Sequence, residues 1–87
     1  MRGYKMYKNK TESGKNNISG NNIATLRKAM KPKTSQRMLA DNMQLAGIDI
    51  DKNAIQRIES GQRFVTDIEL RAFAQVFNVS ADELLNQ

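Results

Sequence analysis

Helical spacing of apolar side chains begins at about Asn21 and continues to the end of the chain, whereas residues 1–20 show no periodic pattern. Ile23, Leu26, Arg27 and Met30 fall at i, i+3, i+4 and i+7, which predicts a first helix. Asn21 or Asn22 can cap its start. The sole proline, Pro32, ends it by disfavouring the α region at Lys31. A second helix can be capped by Thr34 or Ser35. It carries Leu39, Ala40, Met43 and Ala46 on one face and stops near Gly47. Ile48-Asp49-Ile50-Asp51 alternates but is too short to define a strand. Asp51 is a cap for a third helix with Ile55 and Ile58 inward, closed by Ser60-Gly61. Thr66-Asp67-Ile68-Glu69 has the form of a capping box and opens a fourth helix, with Leu70, Phe73, Ala74 and Phe77 on one side. Ser80-Ala81-Asp82-Glu83 is a second such box, before a short fifth helix bearing Leu84 and Leu85. The pattern predicts an all-α, five-helix domain over residues 21–87. Met30, Met38 and Met43, and with less support Met6, are expected to fill gaps in its core.

Residues 1–20 are rich in Lys, Asn, Gly and Ser, with isolated Tyr4, Met6 and Tyr7. Such a segment buries too little apolar surface to offset its ordering entropy, so a disordered basic N-terminal arm is expected. Charge reinforces the division. Residues 1–33 hold nine Lys/Arg against one acid, and residues 34–87 hold five against eight. The net charge of +5 favours an anionic partner, nucleic acid or an acidic membrane surface, but not a uniformly basic fold. In the arm, Arg2, Lys5, Lys8, Lys10 and Lys15 can follow phosphates, and Tyr4 and Tyr7 can stack on bases. A solvated tail has the same composition.

Composition removes other classes. Eighty-seven residues make one small domain, without room for a separate small-molecule sensor domain. With no cysteine and no histidine, disulfides and thiolate metal sites are excluded, and the commonest metal ligand and general base are missing. There is no glycine-rich phosphate loop and no carboxylate pair in an evident cleft, so neither an enzyme nor a cofactor is expected. No apolar run approaches the roughly 18 residues of a membrane span, and no secretory signal is visible, so a cytoplasmic protein is expected.

The outward side of the third helix carries Lys52, Asn53, Gln56, Arg57 and Ser60. Asn and Gln can bond adenine bidentately, Arg and Lys favour guanine, and Ser can meet a phosphate. An α-helix fits the major groove of B-DNA. The second helix, starting at Ser35 and Gln36, can cross the backbone and donate to phosphate. Taken alone, that polar face is equally the solvated surface of any exposed helix.

The arrangement resembles the phage-repressor (Cro-like, XRE-type) helix-turn-helix family over residues 21–86. The resemblance is carried by Ile23-Ala24-Thr25-Leu26-Arg27, Ser35-Gln36-Arg37-Met38-Leu39-Ala40, Ala54-Ile55-Gln56-Arg57-Ile58-Glu59-Ser60-Gly61 and the run from Leu70 to Leu85. It implies sequence-specific binding to double-stranded DNA by a transcriptional regulator. Gln36, with Arg37 beside it, takes the place of a phosphate-contacting glutamine, and Lys52, Asn53, Gln56 and Arg57 look toward bases or adjacent phosphates. Arg27 and Glu59 resemble the family's partly buried ion pair between the first and third helices. A homodimer is the usual state of such regulators, because two-fold symmetry lets one small domain read two half-sites. Two departures stand out: the first link is about two residues longer than usual, and the interval from Gln36 to Ile55 about five residues longer, so the turn is not the tight three-to-four-residue form. Asp49 and Asp51 in that interval would repel phosphate. The competing reading is a protein-interaction module, such as an antitoxin with secondary DNA binding. RNA binding through the arm is a third, without stacking aromatics in the folded part.

Overall fold

The computed structural model describes residues 14–86, which form five α-helices and no strand. They are α1 (Gly20–Ala29), α2 (Gln36–Leu45), α3 (Lys52–Glu59), α4 (Asp67–Phe77) and α5 (Ala81–Leu85). Four of the five starts are set by a local side chain. Ser35 accepts from the Met38 amide, and Asp51 accepts from Ala54 at 2.8 Å. Thr66–Glu69 and Ser80–Glu83 both close as reciprocal capping boxes.

α1 begins differently. Neither Asn21 nor Asn22 caps it. The helix starts at Gly20, and the side chain of Asn17 accepts the Gly20 amide at 2.6 Å. Asn22 instead reaches the other end of the chain, donating to the carbonyls of Leu84 (2.9 Å) and Asn86 (2.7 Å) and so closing the end of α5.

The core gathers one apolar stripe from every helix. Ile23, Leu39, Met43, Ile55, Ile58, Phe73 and Leu84 are all fully buried. Phe73 and Phe77 stack with ring centroids 6.3 Å apart. α2 packs chiefly on α3, while α1 touches α3, α4 and α5. Three expected core positions lie elsewhere. Met38 is 43% exposed because it sits one residue before the Leu39–Ala40 face of α2, Ala46 stands exposed just past the last turn, and Leu85 is 40% exposed beside buried Leu84.

The connection over 46–51 is long, yet it is tied down. Gly47, with φ +92, turns the chain after α2 and donates to Gln44. Ile48 donates to the Met43 carbonyl at 2.9 Å, and the Gln44 side chain donates to the Ile50 carbonyl at 3.1 Å. Ile50 is buried in the core cluster. The additional residues thus form a plug under the turn, with Asp49 exposed at its surface.

The boundary between arm and domain also shifts. Residues 14–20 are part of the fold rather than of a disordered arm, because their backbone and side chains are bonded to the end of α3. The Asn16 amide donates to the Gly61 carbonyl at 2.8 Å and its side chain to Gln62 at 2.9 Å. The Asn17 side chain donates to the carbonyls of Ile58 (3.1 Å) and Arg63 (2.7 Å). The expected arm contacts of Arg2, Tyr4, Lys5, Tyr7, Lys8 and Lys10, and the place of Met6, lie outside the described residues.

Candidate nucleic-acid interface

α3 is short and sharply divided. Ala54, Ile55 and Ile58 are buried against the other helices, which leaves Lys52, Asn53, Gln56 and Arg57 exposed on the remaining side. Ser60, just past the last turn, is also exposed, and its hydroxyl donates to the Arg57 carbonyl at 3.2 Å. Among the described residues, the side chains of Asn53, Gln56 and Arg57 make no hydrogen bond, so their donors and acceptors face solvent.

The direction of this face is set by polar ties at the end of α3. Arg27 of α1 meets Glu59 of α3 in a two-pronged ion pair, Nε to Oε2 at 2.7 Å and Nη2 to Oε1 at 3.0 Å. Both side chains are largely buried. The remaining guanidinium nitrogen donates to the Thr34 carbonyl at 3.1 Å, so the same residue holds the α1–α2 link. The hydrogen bonds it donates to Glu59 raise the Arg27 pKa further above its ordinary value. Gln36 joins this group: its Nε2 donates to Glu59 at 2.9 Å. The glutamine that the resemblance assigns to phosphate is therefore oriented by Glu59. Its neighbour Arg37 is exposed.

Beyond α3, Arg63 and Glu69 form a second bidentate pair, both contacts at 2.9 Å, which sequence reasoning missed. Glu69 also accepts the Thr66 amide within the capping box. The Arg63 hydrogen bonds hold the Glu69 carboxyl below its usual range despite its burial. Asn16, Asn17 and Arg63 carry no signal in the sequence, for two reasons. Asn16 and Asn17 bind partners more than 40 residues away, and Arg63 lies in a loop, where no periodicity marks it. Gly20 meets α3 so closely that an added Cβ would run into the Ile58 carbonyl.

No helix among the described residues is long and apolar enough to cross a membrane. A scan against family models matches the Helix-turn-helix model over residues 23–84, which spans α1 to α5. A search of curated proteins and a search of solved structures each returned no match. The match covers well over half of the chain and carries a DNA-binding domain with it. This chain belongs to the XRE-type (Cro-like) helix-turn-helix family.

Proposed function

We propose that this protein is a transcriptional regulator that binds a specific duplex DNA sequence, with α3 as the helix that enters the major groove. The observation that carries the reading is the division of α3: its inner side is fixed in the core while Asn53, Gln56 and Arg57 project together, exposed and unbonded among the described residues. These are side chains suited to adenine and guanine edges. Gln36 and Ser60 lie at the margins of that face, where contacts fall on the sugar-phosphate backbone rather than on bases. Arg27 and Glu59 serve the architecture, by holding α3 in place. The regulator acts in the cytoplasm as a homodimer and needs no cofactor.

Selection of bound duplexes from a random pool at near-physiological salt tests this. A recurring motif is expected, and an inverted repeat within it would mark a two-fold dimer. Recovery of no preferred sequence overturns the reading. The alternative, an interaction module of the antitoxin kind, draws on the exposed apolar side chains Leu45, Phe64 and Ile68. A stable complex with a defined protein partner, in place of sequence-dependent DNA binding, is its expected signature.

A further inference from the structure

α3 is anchored at both ends. At its start the Asp51 side chain accepts the Ala54 amide. A helix leaves its last carbonyls without partners inside it, and around the end of α3 the segment before α1 supplies donors. The Asn16 side chain donates to Gln62, whose own amide holds the Arg57 carbonyl at 2.8 Å. Asn17 reaches further. Its Nδ2 donates to the carbonyls of Ile58 at 3.1 Å and Arg63 at 2.7 Å, while its Oδ1 accepts the Gly20 amide at 2.6 Å. Both protons of that side-chain amide are used, so Asn17 has no side-chain donor left for a ligand. One partly buried side chain thus joins the first residue of α1, the last turn of α3 and the loop that leads to α4. Arg63, whose carbonyl it holds, carries the guanidinium that binds Glu69 of α4. The approach is close on both sides of the strap: Gly20 stands against the Ile58 carbonyl, and a Cβ added at Gly61 would meet the Lys15 side chain at 2.7 Å.

We infer that Asn17 is a positioning residue for DNA recognition: it sets the direction in which the last turn of α3 presents Arg57, and through Arg57 the sequence preference. The inference rests on the DNA-binding reading above. It adds a residue that lies before the segment matched by the family model, which begins at residue 23. Asn17 acts only through others, because its polar atoms are spent on the protein's own backbone. Arg27 and Gln36 hold α3 by the Glu59 side chain, which leaves torsions between the anchor and the helix. Asn17 holds a main-chain carbonyl of α3 itself, one residue after Arg57. Base edges demand that restraint, since hydrogen bonds weaken steeply as their geometry bends. A small rotation of α3 therefore costs paired contacts to bases before it costs contacts to phosphate, and the preference for one sequence falls before overall affinity does.

The test compares dissociation constants of the full chain on the selected duplex and on a random one, at a temperature where circular dichroism shows each variant folded. N17A is expected to lower the preference for the selected duplex about fivefold or more, the scale of one lost base contact. Binding to the random duplex should stay within about twofold, and the salt slope should not change, because no charge is removed. N17D keeps the volume and one acceptor but turns an oxygen toward two carbonyls, so it should lose at least as much. A double-variant cycle with R57A separates positioning from mere stability: the losses from N17A and R57A should overlap rather than add. Additive losses, or a lower urea midpoint with the preference intact, overturn the inference. If neither Asn17 variant folds, N16A takes their place, since it removes a single exposed donor to the Gln62 carbonyl. A smaller loss of preference that overlaps with R57A then supports the inference, and an unchanged preference overturns it. A wild-type protein without any preference between the duplexes sinks the DNA-binding reading, whereas a preference that survives N17A sinks this inference alone.

Discussion

The inner and outer sides of α3 share eight residues of backbone and obey different constraints. On the inner side, Ile55 and Ile58 have no exposed surface, and Glu59 is held by Arg27 and Gln36. On the outer side, Asn53, Gln56 and Arg57 are exposed and bond to no described residue. Stability therefore resides on one side, and the recognition proposed above on the other. A helix this short has little stability of its own in water, so the outer side keeps its direction only because the inner one is packed.

The sharpest way to break this contrast is Ile58→Ala, which empties a fully buried site against α1. It is expected to cost about 2–5 kcal/mol in urea unfolding and to abolish DNA binding by loss of fold. Normal unfolding would show that α3 does not depend on its inner contacts. Arg27→Ala comes next, at about 3 kcal/mol, because Glu59 would be left buried with only the Gln36 amide. Replacing both members, R27M with E59L, should recover part of that loss. A double variant worse than R27A would contradict the burial-cost explanation.

Arg57→Ala should behave in the opposite way. It is expected to leave the unfolding midpoint unchanged while weakening binding to the selected duplex by about 1–3 kcal/mol and relaxing its sequence preference. An R57A protein that unfolds more easily, with specificity intact, would exchange the roles assigned to the two sides. The smallest effect concerns pH. Because Arg63 lowers the Glu69 pKa in the folded state, the unfolded chain binds that proton more readily. The associated stability is present above the ordinary glutamate value of about 4.3 and is lost as pH falls through it toward the folded value. Its size is at most about 1 kcal/mol, since Arg63 keeps access to solvent. R63M should flatten the dependence of the urea midpoint between about pH 5 and pH 3. An unchanged profile would remove this pair from the account.

How much was legible follows from the range of the interactions. Ser35, Asp51, Thr66 with Glu69, and Ser80 with Glu83 act within one helical turn, so residue type and spacing reveal them. Ile23, Ile55, Ile58 and Phe73 follow the helical period, and the core follows with them. Asn22 shows where such reasoning ends. Its residue type suits a helix start, but it closes the end of α5 more than 60 residues away, a choice that only the tertiary fold can make. Residues 14–19 misled for a related reason. Apart from Ile18 they are polar or glycine, without a period, and their asparagines bond to a set of carbonyls at the end of α3. On α3, residue types single out Asn53, Gln56 and Arg57 as candidate base contacts, and the structure leaves all three exposed. The cleft that Lys52 lines with Lys33 and Arg37 depends on how the link and the two helices meet, which no spacing shows.

The bonds from Asn16 and Asn17 to the end of α3 have a practical consequence. The family match begins at residue 23, after both of these asparagines. A fragment trimmed to that limit would leave the Arg63 and Gln62 carbonyls without these donors and remove Gly20 from against α3. The folded unit therefore extends further toward the N-terminus than the family match indicates, at least to Asn16.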